Sequence, residues 1–233
     1  MNRIFLKLIL IVLPSIVFLS CDLDDIDNYD GPNASIQGGI YDEETGELVE
    51  QDIINGVQIE YIEHGFENPQ TQYQVVKNDG TFQNKMMFAG TYTMRAVRGN
   101  FVPTEDIEVK VKGNTEINFK VQPYIRIKNA SIEKENGKIV ATFSIQQTLQ
   151  NKIKNVALFA HKEKNVGDPL AKTISVKQDI NDITNESMVY TLTIDPSKYS
   201  EMKAGEKFYF RIGALMDVSE AKYNYVPAVR IDI

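Results

Sequence analysis

Asn78-Asp79-Gly80-Thr81-Phe82, followed by Phe88-Ala89-Gly90-Thr91-Tyr92-Thr93-Met94-Arg95-Ala96-Val97, is the stretch that decides the fold. Asn78-Asp79-Gly80 is a hairpin signal, because Gly80 takes positive φ without steric cost. Ala89-Gly90-Thr91 turns the chain again, and Tyr92, Met94 and Ala96 then alternate with Thr93, Arg95 and Val97. A period of two sends successive side chains to opposite faces, the pattern of a half-buried strand. The same pattern extends outward in both directions. Ser35 to Asp42 reads as a first strand, closed by the polar turn Asp42-Glu43-Glu44-Thr45-Gly46, and Gly56 to Glu63 as a second, with Val57, Ile59 and Tyr61 on one face. Gln72 to Val76 precedes the hairpin; Ile107, Val109 and Val111, then Ile117, Phe119 and Val121, follow it. Short strands at this spacing up to Pro123 predict a β-sandwich.

Pro123 is a natural joint, and the pattern restarts beyond it. Tyr124 to Glu133 leads to the Asn136-Gly137 hairpin, after which Ile139, Ala141, Phe143 and Ile145 point one way. Val156, Leu158 and Ala160 repeat this, as do Ile174 and Val176. Tyr190, Leu192 and Ile194 end at Asp195-Pro196, where a strand loses a donor, and Pro196 to Tyr199 suits one helical turn. Phe208, Phe210, Ile212 and Ala214 form the best-defined strand, and Val226, Val229 and Ile231 are placed on the last. This predicts a second sandwich, immunoglobulin- or fibronectin-like, with no disulfide.

The N-terminus reads differently. Arg3 and Lys7 precede an apolar run, Leu8 to Leu19, that contains Pro14 and is too short to span a bilayer. Phe18-Leu19-Ser20-Cys21 resembles a bacterial lipobox, which implies acylation of Cys21 and a membrane anchor through N-terminal acyl groups. The acidic run Asp22-Leu23-Asp24-Asp25-Ile26-Asp27-Asn28-Tyr29-Asp30 reads as a spacer and resembles a surface-export signal of Bacteroidetes lipoproteins. The expected organisation is a signal peptide (1–20), an acidic tether (21–34) and two sandwiches (35–123 and 124–233). Outer-membrane attachment facing the exterior follows as an expectation.

Without the leader, 213 residues remain and the formal net charge of −7 becomes −9. That charge argues against nucleic acid, whose backbone is read by Lys and Arg. The two histidines, His64 and His161, have no H-E-x-x-H or C-x-x-C spacing around them, and no nucleophile elbow, Walker loop or dinucleotide fingerprint occurs. The carboxylates fall mostly in turns, such as Asp42, Glu43, Glu44 and Glu47, or on outward strand positions such as Glu60, Glu105 and Glu108. The expectation is a non-enzymatic protein with no cofactor. The Asn-x-Ser sequons at Asn33, Asn129 and Asn185 read as chance in a bacterial lipoprotein.

Ile40 to Gly46, Gly56-Val57-Gln58-Ile59, Asp79-Gly80-Thr81-Phe82 and Phe88 to Tyr92 together resemble the transthyretin-like, carboxypeptidase-regulatory-type sandwich. With Asp27 to Ala34 before and Val121 to Ile127 after, the chain resembles a domain-of-unknown-function family of Bacteroidetes surface lipoproteins, often encoded beside SusC/SusD-type uptake systems. The resemblance carries no catalytic or ligand residues. It implies an all-β chain, transthyretin-like then immunoglobulin-like, acting as an accessory in nutrient uptake with a glycan ligand and a SusC/SusD-type complex as partners. The alternative is a structural, adhesin- or fimbria-like subunit that binds protein. There is no Trp among the aromatics but there are 11 Tyr. Tyr209, Tyr223, Tyr225 and Phe66 are the candidate ligand contacts, since an exposed ring with polar neighbours stacks on a sugar or a partner.

Overall fold

The computed structural model describes residues 30–233. The expected leader, Cys21 and most of the tether lie outside the described residues. The first sandwich contains β1 (Ala34–Asp42), β2 (Gln58–Glu63), β3 (Gln72–Val75), β4 (Thr81–Met87), β5 (Gly90–Val97), β6 (Ile107–Val111) and β7 (Asn114–Val121). They form two sheets, ordered β4-β1-β7 and β3-β2-β5-β6. The core between them takes the inward alternates: Ile36 and Ile40, Ile59 and Tyr61, Tyr92, Met94 and Ala96, Ile117 and Phe119. β1 and β7 run parallel, with Asp42 beside Val121. Both strands therefore run from the end where the chain enters to the end where it leaves for the second sandwich. Gly38 permits their close approach, since a Cβ there would lie 1.6 Å from the Ile117 carbonyl oxygen.

The second sandwich contains β8 (Ile125–Glu135), β9 (Lys138–Gln147), β10 (Ile153–His161), β11 (Ile174–Asp182), β12 (Tyr190–Ile194), β13 (Lys207–Met216), β14 (Asn224–Tyr225) and β15 (Val229–Asp232). Its sheets are β12-β9-β8 and β11-β10-β13, with β14 and β15 both pairing with β13. Asn136 and Gly137 turn between β8 and β9 with φ of 49° and 78°, the geometry of a two-residue hairpin loop. The all-β, two-sandwich class expected from the sequence is the fold observed. The last segment differs in detail: Pro227, lacking an N–H, separates β14 from β15, so Val226 lies outside both strands and Val229 is exposed.

β10 is buried on both faces, with only Lys154 exposed and His161 half-buried. Val156, Leu158 and Ala160 face the main core, while Ala157 and Phe159 join Val166, Tyr223 and Tyr225 in a second, smaller core on the outer face of the sheet. The first sandwich abuts this face. Asn100 donates to the carbonyls of Glu50 (2.8 Å) and Tyr223 (2.9 Å), and Asn224 returns a bond to the Asn100 carbonyl (2.8 Å). Nearer the joint, Arg126 donates through Nε and Nη2 to the Asp42 carboxylate at 2.6 and 2.8 Å, and its Nη1 lies 2.7 Å from Glu44.

Candidate functional site

β9 runs toward the joint, where the Thr148 hydroxyl bonds the Pro123 carbonyl at 2.6 Å; β10 runs the opposite way, ending at His161. A cavity of about 800 Å³ opens at that far end. Its volume lies in the range of small-ligand sites. Four segments build it: His161-Lys162 leaving β10, Lys172 to Ser175 entering β11, Tyr199 and Glu201 after the 3-10 turn Pro196–Lys198, and Phe208 opening β13. The 3-10 turn is capped by Asp195, whose Oδ1 accepts from the Ser197 N–H at 3.1 Å. This fixes the path into Tyr199.

The floor is apolar: Ile174 and Phe208 are nearly buried beneath it, and half-buried Tyr199 is the ring that keeps an open face. The rim is polar. Lys162 lies 5.7 Å from the Phe208 ring centroid and bonds Glu206 at 2.7 Å; that bond holds the Glu206 carboxyl below its ordinary range. His161 Nδ1 accepts the Glu163 N–H at 2.9 Å, so a neutral imidazole carries its proton on Nε2, where it can donate. Lys172 is held at φ 66°, an uncommon conformation for a residue with a Cβ. The Thr173 hydroxyl is buried with no hydrogen-bond partner among the described residues, and an enclosed water would satisfy it. Glu201 supplies an acceptor. Donors and acceptors around the one accessible ring, Tyr199, suit a polyhydroxylated ring, which has an apolar face and a hydroxyl edge.

Tyr223 and Tyr225 are buried, 5% and 8% exposed. Their rings pack on Phe159 with centroids at 5.2 and 5.9 Å, and their hydroxyls donate to Asn155 (2.7 Å) and Asp52 (2.8 Å). Neither ring is accessible for stacking on a ligand, because the outer face that the sequence suggests is open is covered. Tyr209 faces away from the Phe208/Phe210 side, as its alternation suggests, but is half-buried against the same small core and lies opposite His161 across the sheet. Phe66 is 63% exposed, on the loop between β2 and β3 in the first sandwich, far along the chain from the cavity. The four rings are thus not brought together. The cavity draws instead on residues from strand ends and a turn, for which no local spacing gives a signal.

A smaller groove, about 220 Å³, lies at the joint and includes Asp42, Glu47, Glu50 and Arg126. Asp42 is bound by Arg126; burial pushes its carboxyl up, but the Arg126 and Glu44 N–H bonds bring it below the usual range. Glu50 is bound by Arg211 at 2.6 Å. Both acids are committed to ion pairs. Among the described residues no cluster of His, Cys, Asp and Glu has metal-site geometry, and no helix is long and apolar enough to cross a membrane.

Two joined β-sandwiches with a cavity at the far end define the structural class. Residues 34–122 match the "Protein of unknown function (DUF3823) N-terminal domain" and residues 125–230 match the "Domain of unknown function (DUF3823_C)". The chain belongs to the DUF3823 family. A crystal structure of a "putative carbohydrate binding protein" from Bacteroides uniformis is 40% identical, covers 87% of this chain and all of its own, and superposes with a TM-score of 0.78. A DUF3823 protein from Parabacteroides merdae is 26% identical over 87% of this chain and all of its own, with a TM-score of 0.74. One from Bacteroides ovatus, 20% identical over 85% of this chain and 98% of its own, shares the fold with a TM-score of 0.72. No curated protein matches the chain.

Proposed function

We propose that this is a lipid-anchored, outward-facing accessory protein of an outer-membrane nutrient uptake system, and that it binds glycan without catalysis in the cavity between His161, Lys172, Tyr199 and Phe208. The observation that carries the reading is the cavity itself, with the half-buried Tyr199 ring in its floor and donors from His161 and Lys172 at its rim. The carbohydrate-binding name of the 40% identical relative supports it, as does the resemblance to families encoded beside SusC/SusD-type pairs. Acylation at Cys21 supplies the anchor, and the acidic run after it the tether.

The test is affinity electrophoresis against a panel of polysaccharides, with Tyr199→Ala and Lys172→Ala beside the native chain. Retention by the native protein that falls about tenfold or more in Tyr199→Ala is expected, the size of a lost anchoring ring. No retention of any glycan, together with unchanged growth of a deletion strain on every glycan, would sink the reading. Radiolabelled palmitate incorporation lost in Cys21→Ala checks the anchor separately. The structural or adhesin-like alternative is favoured by one feature: Ile183, Met188 and Val189 are all exposed on the loop between β11 and β12. Polymer ladders from solubilised membranes would support it; co-purification with a transporter would support uptake.

A further inference from the structure

We propose that the end of the first sandwich at which the chain enters is a lipid-contacting surface, with Phe66, Met86 and Phe88 seated among acyl chains. The inference rests on the anchor reading of Cys21. Three large apolar side chains are exposed at this one end: Phe66 by 63%, Met86 by 71% and Phe88 by 43%. β2 reaches the end at Glu63, opposite Tyr92 of β5, and the His64 N–H bonds the Thr91 carbonyl at 2.9 Å. The Phe66 loop therefore begins beside the turn from β4 to β5 that carries Met86 and Phe88. That turn is clasped by the incoming chain: the Asn33 N–H bonds the Met87 carbonyl at 3.0 Å, and Asn33 Oδ1 accepts the Ala89 N–H at 2.8 Å. The Tyr92 hydroxyl holds the Phe88 carbonyl at 2.9 Å. Met86 and Phe88 thus stand on a fixed backbone, and the Phe66 loop is held beside them at its start.

The occupant follows from the tether. Asp22 to Gly31 is ten residues, which span at most about 35 Å. An acylated Cys21 would keep the clasped turn within that distance of the membrane, at a high local concentration relative to lipid. Lys85 and Lys112 can meet lipid phosphates, while Glu63 and Glu67 at the same end oppose deep insertion. Several acyl chains already give stable attachment, so this surface sets the orientation of the sandwich on the lipid rather than the attachment itself. Seating this end orients the molecule, because β1 and β7 run away from it toward the second sandwich.

The chain contains no Trp, so Phe66→Trp, Met86→Trp and Phe88→Trp each give fluorescence with no background. The acylated full chain would be placed on phosphatidylethanolamine/phosphatidylglycerol vesicles containing brominated acyl chains. A blue shift and bromine quenching are expected for these three variants and not for Val189→Trp, which is equally exposed on the second sandwich. Quenching no greater than for Val189→Trp would overturn the inference and would leave a membrane protein partner as the occupant. A Cys21→Ser chain, its leader replaced by a polyhistidine tag and tethered to nickel-chelating lipid, separates the two readings. Quenching there with no palmitate on the native chain removes the anchor and keeps the surface; palmitate without quenching does the reverse.

Discussion

Arg211 and Glu50 belong to different sandwiches and meet at 2.6 Å, with Arg211 wholly enclosed. All five guanidinium donors are used: Nε to the Val226 carbonyl, Nη1 to those of Gln51 and Val166, Nη2 to Glu50 and the Asn78 carbonyl, at 2.6 to 3.3 Å. Its Cζ lies over the Tyr225 ring, 4.1 Å from the centroid. Burial opposes both charges, raising the Glu50 carboxyl and lowering the Arg211 guanidinium, while each charge draws the other back. The pair therefore specifies how the sandwiches meet more than it stabilises them. Removing one partner leaves a buried charge, at about 3–5 kcal/mol. Urea melts should show Arg211→Met destabilised by that amount and Arg211→Lys nearly as much, since an ammonium cannot span five acceptors. The double variant Arg211→Met with Glu50→Gln should recover part of the loss. A double variant as unstable as the sum of the singles would refute this account.

Asp52 gives the joint a pH dependence. Burial raises its carboxyl from 3.8 to about 6, against the hydrogen bond from Tyr225 and the Arg211 charge. A raised acid binds its proton more tightly folded than unfolded, so its contribution is full below pH 4 and is lost as pH rises through about 6. The loss amounts to about 3 kcal/mol. Asp52→Asn should therefore gain on the native chain between pH 4 and pH 7 in chemical denaturation, and should show a flatter profile. A gap between the two proteins that does not change with pH would remove Asp52 as the cause.

Gly38 tests how closely β1 and β7 are tied. Its absent Cβ would lie 1.6 Å from a backbone oxygen, which cannot swing aside as a side-chain tip can. Gly38→Ala is expected to lower stability by about 3 kcal/mol or more, whereas Gly113→Ala has open space and costs only the strain of its φ of 58°. Thermal melts of the two variants should separate clearly.

Much of the fold can be read locally, because an inward alternate such as Phe143 or Leu158 declares itself by its neighbours at two-residue spacing. What happens to outward alternates cannot be read that way. Arg211 occupies one such position on β13, yet Gln51 and Asn78 from the first sandwich and Val166 from a loop enclose it. Tyr223 and Tyr225 are misread for the same reason. The cavity was hidden by register: His161 lies opposite Tyr209, which brings it beside Phe208, and no spacing along the chain encodes that pairing.

The same contrast separates binding from stability among the tyrosines. Tyr225 donates to Asp52 and accepts from the Asp168 N–H at 3.1 Å, so Tyr225→Phe leaves a buried carboxyl and a backbone N–H without their partner and should cost about 1–3 kcal/mol. The cavity lies at the far strand ends and does not use that hydroxyl, so glycan retention should persist wherever the variant is folded. Tyr199 is half-buried and its hydroxyl makes no bond among the described residues, so Tyr199→Phe should melt within about 0.5 kcal/mol of the native chain. Tyr199→Ala should lose retention while remaining folded, because the ring forms the cavity floor. Urea melts and affinity electrophoresis on the same preparations distinguish these cases. A Tyr225→Phe protein that is fully folded yet retains no glycan would move the binding site from the cavity to the joint.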